Sequence, residues 1–107
     1  MKIEILFFDG CPSWLTAYQY LQEILEENGM EIKIDQIRID SDEKAKIHQF
    51  PVSPTIRLNG MDLFPIEQAD YRLGCRIFQT EEGYAGSPTQ EMIEQNLIRL
   101  IGTKRNP

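Results

Sequence analysis

Ile3-Glu4-Ile5-Leu6-Phe7-Phe8-Asp9-Gly10-Cys11-Pro12-Ser13-Trp14 is the stretch whose reading decides the fold. Ile3, Ile5 and Phe7 alternate with Glu4, Leu6 and Phe8, so both faces become apolar toward the end. That pattern suits a strand covered on both sides. Asp9-Gly10 closes the run. From Trp14 the period changes: Trp14, Tyr18, Leu21 and Leu25 recur at spacings of four, three and four, and Ala17 and Ile24 widen the stripe. This spacing predicts a helix over about 12–27. Pro12 stands at its first position, where no N–H is needed, and Asn28-Gly29 is its stop. Cys11 therefore falls at a junction between strand and helix. Unpaired N–H groups and the positive end of the helix dipole gather there, and both favour the thiolate, the reactive form of cysteine. Asp9 opposes that effect, and no Lys, Arg or His is near in sequence.

Outward from this stretch, Ile32, Ile34, Ile37 and Ile39 outline a second strand. Its apolar phase slips after Ile34, which predicts a bulge near Asp35-Gln36. Strand, helix, strand in this order implies a right-handed crossover and a parallel pair. Ser41, followed by Asp42 and Glu43, caps a short helix that must end before Phe50-Pro51. Segments 55–58 and 61–63 flank Asn59-Gly60, a strong signal for a tight antiparallel hairpin. The stretch 65–86 reads as an insertion, with a short strand at 75–80 and a turn at Glu81-Glu82-Gly83. Ser87-Pro88-Thr89-Gln90 has the form of a capping box with proline at the first helical position. Met92, Ile93, Leu97, Leu100 and Ile101 then give a last helix its apolar face. Gly102 is its expected end, with 103–107 as a frayed tail.

The chain has 107 residues, enough for one domain spanning 1–107. It is 41 % hydrophobic and 26 % charged, with 17 acidic and 11 basic residues and a formal charge of −6. An acidic surface argues against docking on nucleic acid or an anionic membrane. No apolar run approaches the ~20 residues of a membrane span. With charge returning at Glu4 and Asp9 there is no signal-peptide pattern, so a cytoplasmic location is expected. Two cysteines, Cys11 and Cys75, are too few for a disulfide scaffold or a structural zinc site.

The element order, β-α-β-α-β-β-(insertion)-α, is that of the α/β thioredoxin-like fold, a central four-stranded mixed sheet with helices on both faces. Two motifs carry the resemblance: Cys11-Pro12-Ser13-Trp14 after the first strand, and Val52-Ser53-Pro54-Thr55 before the third. Asn59-Gly60-Met61-Asp62-Leu63-Phe64, Cys75-Arg76-Ile77-Phe78 and Gly86-Ser87-Pro88 extend it. Together they resemble a small group of thioredoxin-like proteins with Cys-Pro-x-Trp in place of Cys-x-x-Cys, some of which carry selenocysteine at the position of Cys11. The resemblance implies a cis peptide bond before Pro54, which would floor the site. It also implies that the Ser53 backbone holds an extended substrate segment by strand-like hydrogen bonds. Trp14 stands where thioredoxins have their second thiol, so resolution inside the motif is impossible.

Three alternatives remain for resolution. The protein acts with one thiol and an outside resolver such as glutathione, or Cys75 resolves, or redox chemistry is absent. The second requires the Cα atoms of Cys11 and Cys75 to come within ~7 Å. The leading expectation is a single-thiol oxidoreductase. Cys11 would attack a disulfide or oxidised sulfur, and Pro12, Trp14, Ser53 and Pro54 would shape the substrate site. No cofactor is built in, glutathione or a protein thiol is the electron donor, and the partners are protein or small-molecule thiols and disulfides. The alternative from another class is a binding module without turnover, holding a thiol compound, a metal-bearing ligand or a partner protein. Three features have bland readings. Trp14 fits a packing anchor on the helix face, His48 a solvated residue near a helix end, and Asp40 to Glu43 a hydrated helix start. Glu67, Asp70, Glu81 and Glu82 show no metal-ligand spacing.

Overall fold

The computed structural model describes residues 1–66 and 70–105, with side chains to residue 101. Its elements are β1 (Ile3–Phe7), α1 (Trp14–Glu27), β2 (Ile34–Arg38), α2 (Asp42–Ile47), β3 (Thr55–Leu58), β4 (Met61–Asp62), β5 (Phe78–Thr80), β6 (Gly83–Ala85) and α3 (Gln90–Arg105). A four-stranded mixed sheet runs in the order β2-β1-β3-β4. β1 pairs in parallel with β2 and antiparallel with β3, and β4 continues antiparallel from β3. Asn59 and Gly60 take φ of 51° and 84°, the left-handed pair that a two-residue hairpin turn requires. Asn59 also joins the start of β1, accepting from Lys2 N through Oδ1 and donating its own N–H to the Lys2 carbonyl, both at 2.8 Å.

Alternation along β1 divides the interior. Ile3 and Ile5 face a core built with Ala17, Leu21, Ile24 and Leu25 of α1 and Ile93 and Leu97 of α3. Leu6 faces the other way, into a smaller core with Ile39, Ala45 and Phe50 under α2. The same division explains β2. Its register with β1 is continuous from Ile3↔Ile34 to Phe7↔Arg38, so the bulge expected at Asp35-Gln36 is absent. Ile34 belongs to the first core, whereas Ile37 and Ile39 serve the second. The apparent slip is one straight strand with apolar neighbours on both faces. Ile32 lies ahead of the strand and packs on the first core.

Helix ends follow local chemistry. Gly29 takes φ +64°, with Met30 N bonded to Leu25 O and Gly29 N to Glu26 O. That is a Schellman stop. α2 ends in the same way without a glycine: Gln49 takes φ +50°, Phe50 N donates to Ala45 O and Gln49 N to Lys46 O. The turn delivers Phe50, fully buried, into the second core. Ser41 caps α2 as expected, its Oγ accepting from Lys44 N at 3.1 Å.

Several expected boundaries are corrected. α1 begins at Trp14, because Trp14 N bonds Cys11 O and Leu15 N bonds Pro12 O in a tighter turn ahead of the helix. β4 stops at Asp62. The short strand at 75–80 is confined to Phe78–Thr80, and Gly83 opens β6 rather than completing the turn. The insertion thus contains a second hairpin. α3 is capped by Thr89, whose Oγ1 accepts from Met92 N at 3.1 Å, while Ser87 Oγ donates to the Pro88 carbonyl. α3 also passes through Gly102 to Arg105, so that part of the expected frayed tail is helical. Gly102 keeps a helical backbone, and one glycine weakens a helix by about 1 kcal/mol without ending it. Residues 106–107 of the expected tail lie outside the described residues.

Candidate functional site

β1 delivers the chain to the end of the sheet where Cys11 sits. The cysteine N–H returns to the Phe8 carbonyl at 2.9 Å, so the Asp9-Gly10 corner is a closed turn. Its residue is 4 % exposed. Pro12, next to it, is exposed. Trp14 turns back onto the sheet and stacks on Phe7, ring centroids 3.8 Å apart at 17°. It also packs against the first core. Asp9, whose charge opposes a thiolate, has an exposed partner in Arg38 on β2, 3.3 Å away.

Ser53 and Pro54 lie beside this turn, both buried, joined by a cis peptide bond as the resemblance implies. Ser53 uses every polar group it has. Its Oγ accepts from Phe8 N at 3.0 Å. Its N–H donates to Gly74 O at 2.8 Å and its carbonyl accepts from Arg76 N at 3.0 Å, a parallel bridge centred on Cys75. The strand-like bonds expected toward a substrate are therefore made by the chain's own 74–76 segment. Thr55 Oγ1 donates to Val52 O at 2.6 Å, bracing the same turn.

The bridge brings Cys75 to Cys11. The two are joined as a disulfide with Cα atoms 5.7 Å apart, across a separation of 64 residues. The distance condition set by the sequence is met. Cys75 is exposed where Cys11 is enclosed. The 73–76 segment, an arm laid across the end of the sheet, is fastened on both sides of the sulfur. Leu73 packs on the second core, and its N–H donates to Asp42 Oδ1 at 3.0 Å. Arg76 Nη1 donates to Phe64 O at 2.6 Å, and its guanidinium lies 4.3 Å from the Phe78 ring centroid and 6.0 Å from that of Phe64. Phe64 and Phe78 meet edge to face. Burial lowers the Arg76 pKa from its ordinary range, and the charge of Asp62 opposes that shift.

Sequence reasoning missed three participants. Asp42 reads as a helix-start carboxylate, yet it also holds the arm. Arg76 reads only as a neighbour of Cys75. Its signal was the flanking aromatics, Phe64 and Phe78, which offer faces to a cation. Gly86 lies against the start of α1, where an added Cβ would collide with Ser13 Oγ and Cβ. A side chain there would force Ser13 to shift. His48 is elsewhere: it caps the C-terminus of α2, and its carbonyl accepts from Arg57 at 2.8 Å.

Among the described residues no cluster of three or more His, Cys, Asp or Glu could hold a metal ion, and no helix is long and apolar enough to cross a membrane. Glu67 lies outside the described residues. No protein-family model, curated protein or solved structure matches this chain.

Proposed function

We propose that the chain is a thioredoxin-like thiol–disulfide oxidoreductase in which Cys11 and Cys75 are the working pair. The observation that carries this reading is the Cys11–Cys75 bond itself, which ties a buried cysteine at the end of β1 to an exposed one on a fastened arm. It favours the two-thiol alternative over the single-thiol one. The strand order and the placement of Cys11 ahead of α1 support the likeness of fold.

The chemistry is a dithiol exchange. In the reduced protein one thiolate attacks a sulfur of a substrate disulfide, forming a mixed disulfide and releasing one substrate thiolate. The second protein thiolate then attacks the protein sulfur of that mixed disulfide and releases the other. Two protein thiols become one disulfide, and two electrons pass to the substrate. A small-molecule or protein thiol returns the electrons, and glutathione is a natural candidate.

The test has two arms. After mild oxidation, intact mass should show the loss of two protons in the wild type and none in Cys75→Ser. With dithiothreitol as donor, the wild type should reduce a model disulfide catalytically and Cys11→Ser should not. A protein that forms the bond yet never exchanges it with thiols would be stapled by a static disulfide, and the redox reading would be lost.

A further inference from the structure

Resting on the redox reading above, we propose that outside thiols enter the oxidised protein through Cys75, and that Cys11 is the enclosed partner that leaves. Thiol–disulfide exchange requires the attacking sulfur to reach the far side of the sulfur it strikes, so access selects the target. Cys11 is 4 % exposed, whereas Cys75 is an exposed residue. The covering over Cys11 is built in. Ser53 is paired on both sides of Cys75, to Gly74 O and Arg76 N, so the edge that an extended cysteinyl substrate would use is filled. Leu73 N on Asp42 and Arg76 Nη1 on Phe64 O hold the arm at either end. Cys11 offers an incoming sulfur only 4 % of its surface, and the arm's hydrogen bonds keep the neighbouring Ser53 edge occupied.

A thiolate RS⁻ attacks Sγ of Cys75. The Cys11–Cys75 bond breaks, an R–S–S–Cys75 bond forms, and Cys11 departs as a thiolate toward the start of α1, where the dipole favours negative charge. A second RS⁻ attacks the R sulfur, giving RSSR and the Cys75 thiolate. Two outside thiols are oxidised to one disulfide, and the protein disulfide is reduced to two thiols. Because the Ser53 edge is filled, the class of reductant that fits is a low-molecular-weight thiol, which needs no strand pairing to reach an exposed residue such as Cys75.

Glutathione is the probe. The oxidised full-length chain is mixed with it, quenched in acid at successive short times, alkylated with N-ethylmaleimide and mapped by peptide mass. Extrapolated to zero time, glutathione should be found on Cys75 and the maleimide on Cys11, with at least tenfold preference. In Asp42→Ala, which removes one fastening of the arm, the preference should fall several-fold. Glutathione found first on Cys11, or a preference unmoved by Asp42→Ala, overturns the inference and leaves the oxidoreductase reading standing. A disulfide inert to millimolar glutathione overturns both.

Discussion

Reducing the Cys11–Cys75 bond should destabilise the protein far more than any single contact at the site would suggest. In the folded state little is lost with the bond, because the arm keeps its pairing with Ser53, the Leu73–Asp42 hydrogen bond and the Arg76 clamp. The effect lies in the unfolded chain, which the bond closes into a loop across a separation of 64 residues. The chain-entropy relation gives about 14 cal/mol/K for such a loop, or about 4 kcal/mol at 25 °C. A protein of this length has a total stability of only about 5–15 kcal/mol, so the difference is large against the whole. Urea unfolding of oxidised and dithiothreitol-reduced protein measures it, followed by circular dichroism because the only tryptophan, Trp14, is three residues from Cys11 and a neighbouring disulfide can quench indole emission. At a slope of about 1.5–2 kcal/mol per molar, the midpoint should fall by about 2–3 M. The Cys11→Ser/Cys75→Ser double variant should match the reduced protein and ignore reductant. A difference below about 1 kcal/mol, or a double variant as stable as the oxidised chain, would refute the reasoning. It would mean that the bond does not form in solution or distorts the fold as much as it restrains the unfolded chain.

Other consequences follow from particular residues. Phe50→Ala should lower stability by about 3–5 kcal/mol in the same assay, because a fully buried ring would leave a cavity beside Leu6, Ile39 and Ala45; a loss under 1 kcal/mol would deny the second core. Thr89→Ala should lower it by about 1 kcal/mol through loss of the α3 cap, and no loss would return the capping role to Ser87. Arg57→Met should lower it by about 2 kcal/mol, since Arg57 joins Asp62 of β4 to the carbonyls of His48 and Gln49 after α2; as Arg57 and Asp62 are both largely enclosed, 0.5 M salt should recover little of the wild-type difference, and a salt-abolished difference would make the pair a surface one.

The elements legible in the sequence are those with local causes. Ile3 to Phe8, the α1 stripe, the Ser41 cap and Asn59-Gly60 each state their structure within a few residues, and the mixed sheet follows from their order. The misreadings occur where two explanations share one pattern. A straight strand between two cores and a bulged strand give the same spacing of isoleucines, and only the register of β2 on β1 separates them. Ser87 and Thr89 both stand where a cap is plausible, and the backbone chooses between them. β5 and β6 are three residues each, too short for alternation to speak. At the site, Cys11 was legible because strand, turn and helix place it. Its joining to Cys75 stood only as one of three alternatives, because no local signal spans the 64-residue separation. The path of the arm is decided by Asp42, Ser53 and Phe64, three residues that are remote from Cys75 in sequence.

The disulfide and the arm's hydrogen bonds act on different states. The bond restrains the unfolded chain, and the hydrogen bonds place Cys75 in the folded one. Ser53 connects the two, since its side chain ties the end of β1 while its backbone holds Gly74 and Arg76. With the arm held in this way, the long loop between the two cysteines is already closed by folding, and closing the S–S bond again restricts only two short side chains. Well-oriented groups of this kind react as though at concentrations far above the millimolar level of any free thiol. An outside thiol bonded to Cys75 therefore competes against a neighbour that is already in place. Loosening the arm at Asp42 weakens that competition without touching either sulfur, which is why the fastening and the bond can be tested apart.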